Sequence, residues 1–469
     1  MVFTSTVFFY AFLPIALLAY FIVPARMRAV PLLLVSLFFY AWGEPRLVIL
    51  IMASAVINYV TGRTLVKAQT SRSLILTIGI LLNLAPLFIL KYTDFILLNT
   101  GHADLAARIN LPLPIGVSFY TFMAIGYLVD IYRRRDEGSD SFVRFAAYLT
   151  MFPHLVAGPI VRWEHIGEQL RNPRFDARMF SYGAIRIATG MAKKTVIADQ
   201  LAITVDQLFA LPHSPSVATA WLSMVMYSLQ IYLDFSAYSD IAIGLAAMLG
   251  VRFHENFDYP YHATSAAEFW RRWHMSLGSW FRDYIYIPMG GSRVGPVKLW
   301  RNLMVVWALT GLWHGAAWTF VAWGLYYGVL IGLERTVYGN ALLKLPLVVQ
   351  HTYGLLLAGL GWILFRSTSF GQATDILTGL IPTGSRPLTD SWSSFAFQQN
   401  WVLVIAAIAL AAGVAKPVMR RVEHQLLELH VDWSFAQATV WAALVIVLLV
   451  IATAFMVAVK YVPFIYFRF

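Results

Sequence analysis

Long apolar runs separated by short polar or basic loops dominate the chain, near 6–23, 29–43, 46–61, 74–90, 113–131, 181–210, 218–249, 301–335, 347–365, 400–415 and 436–459. A helix of roughly 20 mostly apolar residues crosses a bilayer. The pattern therefore predicts an all-α, polytopic membrane protein with about 11 transmembrane helices, arranged as a single integral-membrane domain over 1–469. The first run, Val7 to Val23, has no basic residue before it and no small-residue cleavage site after it, so it is read as a retained span. Two segments break the alternation of sides. The stretch 144–158 begins and ends beside basic loops, and 301–335 does the same while being too long for one crossing. Both are read as hairpins or re-entrant segments, broken at Pro153 and at Gly311 to Gly315. Broken backbone at membrane depth persists only where protein buries it or where it lines a water-filled cavity, so a central cavity is expected. No internal repeat is visible, which weighs against a secondary transporter.

Charge orients this pattern. One set of loops carries Arg26 and Arg28; Arg63, Lys67 and Arg72; Arg133, Arg134 and Arg135; Arg162, Arg171, Arg174 and Arg178; and Lys416, Arg420 and Arg421. The positive-inside rule places these in the cytoplasm. The loops at Gly43 to Pro45, Asn99 to Pro112 and Leu211 to Val217, and the stretch from Ser367 to Gln399, then lie outside with the N-terminus. The excess of Lys and Arg over Asp and Glu, 35 − 24 = +11, is thus explained by topology, and no nucleic-acid partner is expected. Apolar residues make up 59% of the chain and aromatics 15%, more than one soluble core could bury. The absence of cysteine removes disulfides, thiolate metal sites and a cysteine acyl-enzyme.

Against this background the segment EFWRRWHMSLGSWFRDYIYIPMGGSR, 268–293, concentrates charge. On one continuous helix it would place Phe269, Trp270, Trp273, Leu277, Trp280 and Phe281 on one face and Glu268, Arg271, Arg272 and Arg282 on the other, with His274 at the boundary beside Trp270 and Phe281. One reading is an interfacial anchor with snorkelling arginines, part of whose charge is a Glu268–Arg272 pair at i,i+4. The other is a cytoplasmic ledge whose guanidinium groups receive a phosphate-bearing ligand. His314, in LTGLWHGAAW, lies between apolar runs beside Gly311 and Gly315. An ionisable residue at that depth is a functional candidate, and a neutral imidazole suits general-base work. YLDFSAYSDIAIG sets Asp234, Ser236, Tyr238, Ser239 and Asp240 in an apolar span, either satisfying one another or lining a cavity. His154, in FPHLVAGPIVRW, reads as structural. No metal site is expected, since no His-Glu-x-x-His helix is present, and there is no Walker loop.

The combination of EFWRRWHMSLGSWFRDYIYIPMGG, GLWHGA, LPIGVSFYTF, FPHLVAGPIVR, YLDFSAYSDIAIG, ENFDYPY and the terminal PFIYFRF resembles the membrane-bound O-acyltransferase (MBOAT) family, in order over nearly the whole chain. Within that family the pattern is most similar to the bacterial alginate O-acetylation branch. The resemblance implies that His314 matches the catalytic histidine, while His274 occupies a second polar position where other members carry asparagine or aspartate. It implies acetyl-CoA as a cytoplasmic donor substrate with no further cofactor, and an acceptor reached from the far side. Arg271, Arg272 and Arg282 would hold the CoA phosphates, with Trp273, Trp313 and Asp240 completing the substrate contacts. A periplasmic acetyltransferase partner, membrane lipids around the spans and a location in the bacterial inner membrane follow from the same resemblance. Ala237 stands where glycine is usual and Ser292 where asparagine is common, which leaves the polysaccharide unassigned. A lipid acyltransferase and a transporter are the alternatives.

Overall fold

In the computed structural model the structure describes residues 1–109, 111, 114–134, 138–211 and 214–458. Arg135, Pro112, Leu113 and the terminal PFIYFRF, which enter the sequence reading, lie outside these residues. Every regular element among the described residues is helical. The chain divides into two compact units, one of residues 1–188, 239–255 and 426–445, the other of 189–238, 256–425 and 446–469.

The first unit contains α1 (Leu13–Ile22), α2 (Ala29–Gly43), α3 (Val48–Lys67), α4 (Arg72–Asn99), α5 (Ala103–Ile109), α6 (Val117–Arg134), α7 (Phe142–Thr150), α8 (Phe152–Leu155), α9 (Trp163–Arg171) and most of α10 (Ala177–Ala192). α6 packs against both α3 and α4. Where α3 and α4 meet, the amides of Asn58 and Asn83 donate to each other's oxygens at 2.9 and 2.8 Å. Paired amides are how an apolar bundle keeps polar side chains satisfied. The broken segment expected at Pro153 breaks instead at Met151, where ψ is 115°. Pro153 lies in the first turn of α8, where its missing N–H costs nothing.

The second unit holds α11 (Asp199–Phe209), the first part of α12 (Val217–Met248), α13 (Ala266–Arg272), α14 (Met275–Phe281), α15 (Pro296–His314), α16 (Trp318–Leu333), α17 (Val337–Leu342), α18 (Leu347–Arg366), α19 (Phe370–Gly379), α20 (Ser391–Ala411) and α21 (Lys416–Glu423). α22 (Phe435–Ala458) begins in the first unit and ends in the second. The run 301–335 is a helical hairpin of α15 and α16, interrupted from Gly315 to Ala317.

Five helical segments among the described residues are long and apolar enough to cross a membrane: Pro45–Lys67, Arg72–Asn99, Leu347–Arg366, Ser391–Ala411 and Phe435–Ala458. Phe8–Ile22, Ala29–Gly43 and Trp318–Leu333 are shorter and apolar. These do not add up to the count of eleven read from the sequence. α15 has the length, but Lys298, Arg301, Asn302 and His314 make it polar. α22 leaves Phe435, Val440, Ile446 and Val457 exposed, a surface that lipid rather than water can solvate.

Candidate active site

The charged segment around residue 274 is not one helix. Ser265 caps α13 by accepting the Glu268 N–H at 3.0 Å, and the Glu334 carboxylate accepts the N–H groups of Ala266 and Ala267 at 2.6 and 2.9 Å. A carboxylate at a helix start satisfies orphan donors and opposes the helix dipole. α13 then stops, because Trp273 turns extended and His274 adopts the left-handed conformation, φ 42° and ψ 54°. A side chain there is strained by about 1–3 kcal/mol unless its surroundings impose the geometry. The turn changes His274's expected place: rather than sitting at a helix boundary beside Trp270 and Phe281, it is buried, 1% exposed, with its ring 4.7 Å from Phe235 and 6.0 Å from Trp313.

Asn256, from ENFDYPY, holds that turn. Its carbonyl oxygen accepts the Ser276 N–H at 3.1 Å and the Ser276 hydroxyl at 2.9 Å, and lies 3.2 Å from His274 Nδ1. Its backbone oxygen accepts the Met275 N–H at 2.9 Å. Burial pushes the His274 imidazole down to about 3, so this ring, outside the spanning helices, is neutral at physiological pH.

His314 is the last residue of α15, and Gly315 follows in extended conformation. Glycine is required on both arms of the hairpin: a Cβ on Gly311 would lie 2.3 Å from the Phe320 carbonyl oxygen, and one on Gly324 would lie 2.1 Å from that of Trp307. The close approach carries His314, 4% exposed, into aromatic surroundings. Its ring lies 4.8 Å from Trp313, 4.9 Å from Trp323 and 5.1 Å from Phe365, each nearly perpendicular to it. Trp313 touches both histidine rings. The structure thus brings His274, Trp313 and His314 together in the second unit, with Trp273 buried beside them against Phe235 and Trp362.

The arginine ledge differs from expectation. Arg272 donates to Glu268, its nearest contact 2.8 Å, and to Asp258 at 3.2 Å. Lys416 of α21 reaches the other Asp258 oxygen at 2.8 Å. Burial alone would raise the Asp258 carboxyl, but the bond from Lys416 and the charges of Lys416, Arg272 and Arg420 hold it below its ordinary value. Arg282 is paired with the adjacent Asp283 at 2.7 Å. Arg271 is exposed and forms no ion pair among the described residues. Its neighbours are paired with carboxylates, of which Glu268 follows from helical spacing and Asp258 does not.

The remaining polar residues have partners of their own. Asp240 is ion-paired with Arg186, which also binds Glu255 at 2.8 Å, and this cluster belongs to the first unit. Asp234 instead receives Lys194 at 2.7 Å, and Lys194 also binds Asp199. His154 is buried, its Nε2 2.8 Å from the Tyr148 carbonyl oxygen, as expected of a structural histidine. Asn256, Glu334 and Lys194 were not singled out in the sequence. Asn256 had a signal, since it lies within ENFDYPY; Glu334 acts on residues distant along the chain, and Lys194 joins nearby Asp199 to distant Asp234.

The sequence pattern of the MBOAT, membrane-bound O-acyltransferase family, matches residues 132–346. The chain is 38% identical to the "Probable alginate O-acetylase AlgI" of Azotobacter vinelandii, over 88% of this chain and 84% of that protein. The protein of the same name from Pseudomonas putida is 35% identical over the whole of both chains. The "Peptidoglycan O-acetyltransferase" of Helicobacter pylori is 33% identical over 81% of this chain and 80% of its own length.

Proposed function

The chain belongs to the membrane-bound O-acyltransferase family, and from that premise we propose that this multi-pass acyltransferase takes acetyl from cytoplasmic acetyl-CoA and passes it across the bacterial inner membrane to hydroxyls of an exopolysaccharide or cell-wall glycan, with an extracytoplasmic protein completing delivery. The N-terminus lies on the periplasmic side in this reading. The observation that carries the proposal is extended similarity to proteins named as alginate and peptidoglycan O-acetylating enzymes, together with a buried histidine pair joined through Trp313.

In the proposed reaction His314 is the general base. It removes the proton from the acceptor hydroxyl as that oxygen attacks the acetyl carbonyl; the C–S bond breaks, and the imidazolium returns the proton to the departing CoA thiolate. Proton and electron pair balance without a further reagent. An imidazolium formed in a buried place is costly, and aromatic faces attract a cation, so the rings of Trp313, Trp323 and Phe365 suit this step. Arg271 is the ledge residue available to the CoA phosphates, with Arg272 and Arg282 contributing only after exchanging their carboxylate partners.

The acceptor is tested with membrane vesicles given labelled acetyl-CoA on the cytoplasmic face. Label should enter a polysaccharide fraction when periplasmic proteins and glycan are supplied. Label entering extracted lipid without either addition would replace this acceptor with a lipid.

A further inference from the structure

Within the first unit, α3, α4 and α6 leave a crevice of about 340 Å³, counted with the space at its mouth. Ala53 and Ser54 present short side chains on α3, and Pro86, with no N–H to give, interrupts the hydrogen-bond ladder of α4. The rim is apolar and exposed, since Ala53 and Leu82 belong to the membrane-crossing segments Pro45–Lys67 and Arg72–Asn99. The medium at the mouth is therefore lipid, and what enters from it is an acyl chain. The floor is different. Tyr120 and Thr121 of α6 line it, 3% and 2% exposed, and the Tyr120 hydroxyl has no hydrogen-bond partner among the described residues. A buried phenol ordinarily finds one. The Asn83 amide in the wall is already satisfied, donating to Asn58 and to the Gly79 carbonyl oxygen, so Tyr120 is the group that calls for a ligand oxygen.

A cation stands above this crevice. Arg46, Leu50, Ala53, Ser54 and Ile57 follow one another at i, i+4, i+7, i+8 and i+11, a single helix face, and the last four line the crevice. Arg46 is exposed and in no ion pair among the described residues. At about 1.5 Å per residue it lies roughly 6 Å beyond Leu50. In the orientation proposed above this is the outer side, where basic residues are scarce, and an anion gives the guanidinium a partner. Cation, hydroxyl and apolar slot follow the order of a glycerophospholipid: phosphate, ester carbonyl, acyl chain. We propose that the crevice seats one glycerophospholipid of the outer leaflet, with its phosphate against Arg46, an ester carbonyl oxygen accepting from the Tyr120 hydroxyl, and a chain between α3 and α4. The site does not depend on the acetyl-transfer reading; only the choice of leaflet follows from the orientation given with it.

The test titrates the delipidated full chain, in dodecyl maltoside micelles, with phosphatidylglycerol carrying a diazirine in one acyl chain, and maps the photolabelled peptides. Label on residues 50–57 and 82–86 should saturate at one lipid per protein, while label on the lipid-exposed α22 rises without saturating. Tyr120→Phe, which removes only the oxygen and guards against a folding defect, should raise the half-saturating concentration roughly tenfold, the scale of one buried hydrogen bond left unmade. Ala53→Trp, at the exposed rim, should fill the slot and leave α3 and α4 labelled no more saturably than α22. Unlabelled diacylglycerol, which lacks the phosphate, should compete roughly tenfold less well than phosphatidylglycerol against the wild type, the scale of a charge-assisted contact, and equally well against Arg46→Gln. Unsaturable label throughout the wild type, saturation that survives Ala53→Trp, or an unchanged half-saturation in Tyr120→Phe overturns the assignment. Equal competition by the two lipids in the wild type removes the phosphate contact, and the phospholipid with it.

Discussion

His274 carries two constraints at once, a left-handed backbone and a buried ring. Asn, Asp and His are the side chains most tolerant of that backbone, which gives a physical reason for the asparagine or aspartate that the family resemblance implies at this position. His274→Val should lower stability by about 1–3 kcal/mol relative to His274→Asn; equal melting of the two in detergent would show that the turn is unstrained. Titration gives a second prediction. The folded ring takes its proton near 3, the unfolded one near 6.5. Above 6.5 neither state is protonated and stability is unaffected. As pH falls from 6.5 toward 3 the unfolded state gains a proton that the folded state refuses, and stability drops. His274→Asn should flatten that part of the melting-temperature profile between pH 6.5 and 4. A mutant profile as steep as wild type would assign the loss to other groups.

At the scale of elements, the α15–α16 hairpin brings His314 into its aromatic contacts, and it depends on glycine. Gly324→Ala would force a Cβ to within 2.1 Å of the Trp307 oxygen, so the arms must part. Overpacking of this kind costs about 1–3 kcal/mol, and both melting temperature and turnover should fall. Unchanged values for both would show that the close approach is dispensable. This hairpin was legible in sequence because the apolar run is too long for one span, although the break expected at Gly311 to Gly315 falls at Gly315 to Ala317, with Gly311 inside α15. The break between α13 and α14 was not, because the 3.6-residue apolar pattern runs uninterrupted through Trp273 and His274 while the turn is held by Asn256, 18 residues upstream. Arg272 shows the same limit: its helical partner Glu268 could be read from spacing, but Asp258 and Lys416 could not.

Across the whole molecule, apolar composition announced the membrane, but the buried charges are organised by contacts that spacing does not encode. Lys194, Asp199 and Asp234 form a buried group of one cation and two carboxylates. Removing the cation takes a buried ion-pair partner from both carboxylates, so Lys194→Met should destabilise the protein by about 3–5 kcal/mol, read as lost monodisperse yield and lowered melting temperature. Wild-type behaviour would mean the pairing contributes nothing. Asp240, grouped in sequence with the substrate contacts, is ion-paired with Arg186. The central claim is that His314 activates the acceptor. Its direct test is turnover of labelled acetyl-CoA by the purified protein in liposomes, wild type against His314→Ala. The account predicts acetyl-CoA binding in both and a loss of turnover of about 10²- to 10⁴-fold in the mutant; full activity in a normally folded His314→Ala protein would contradict it.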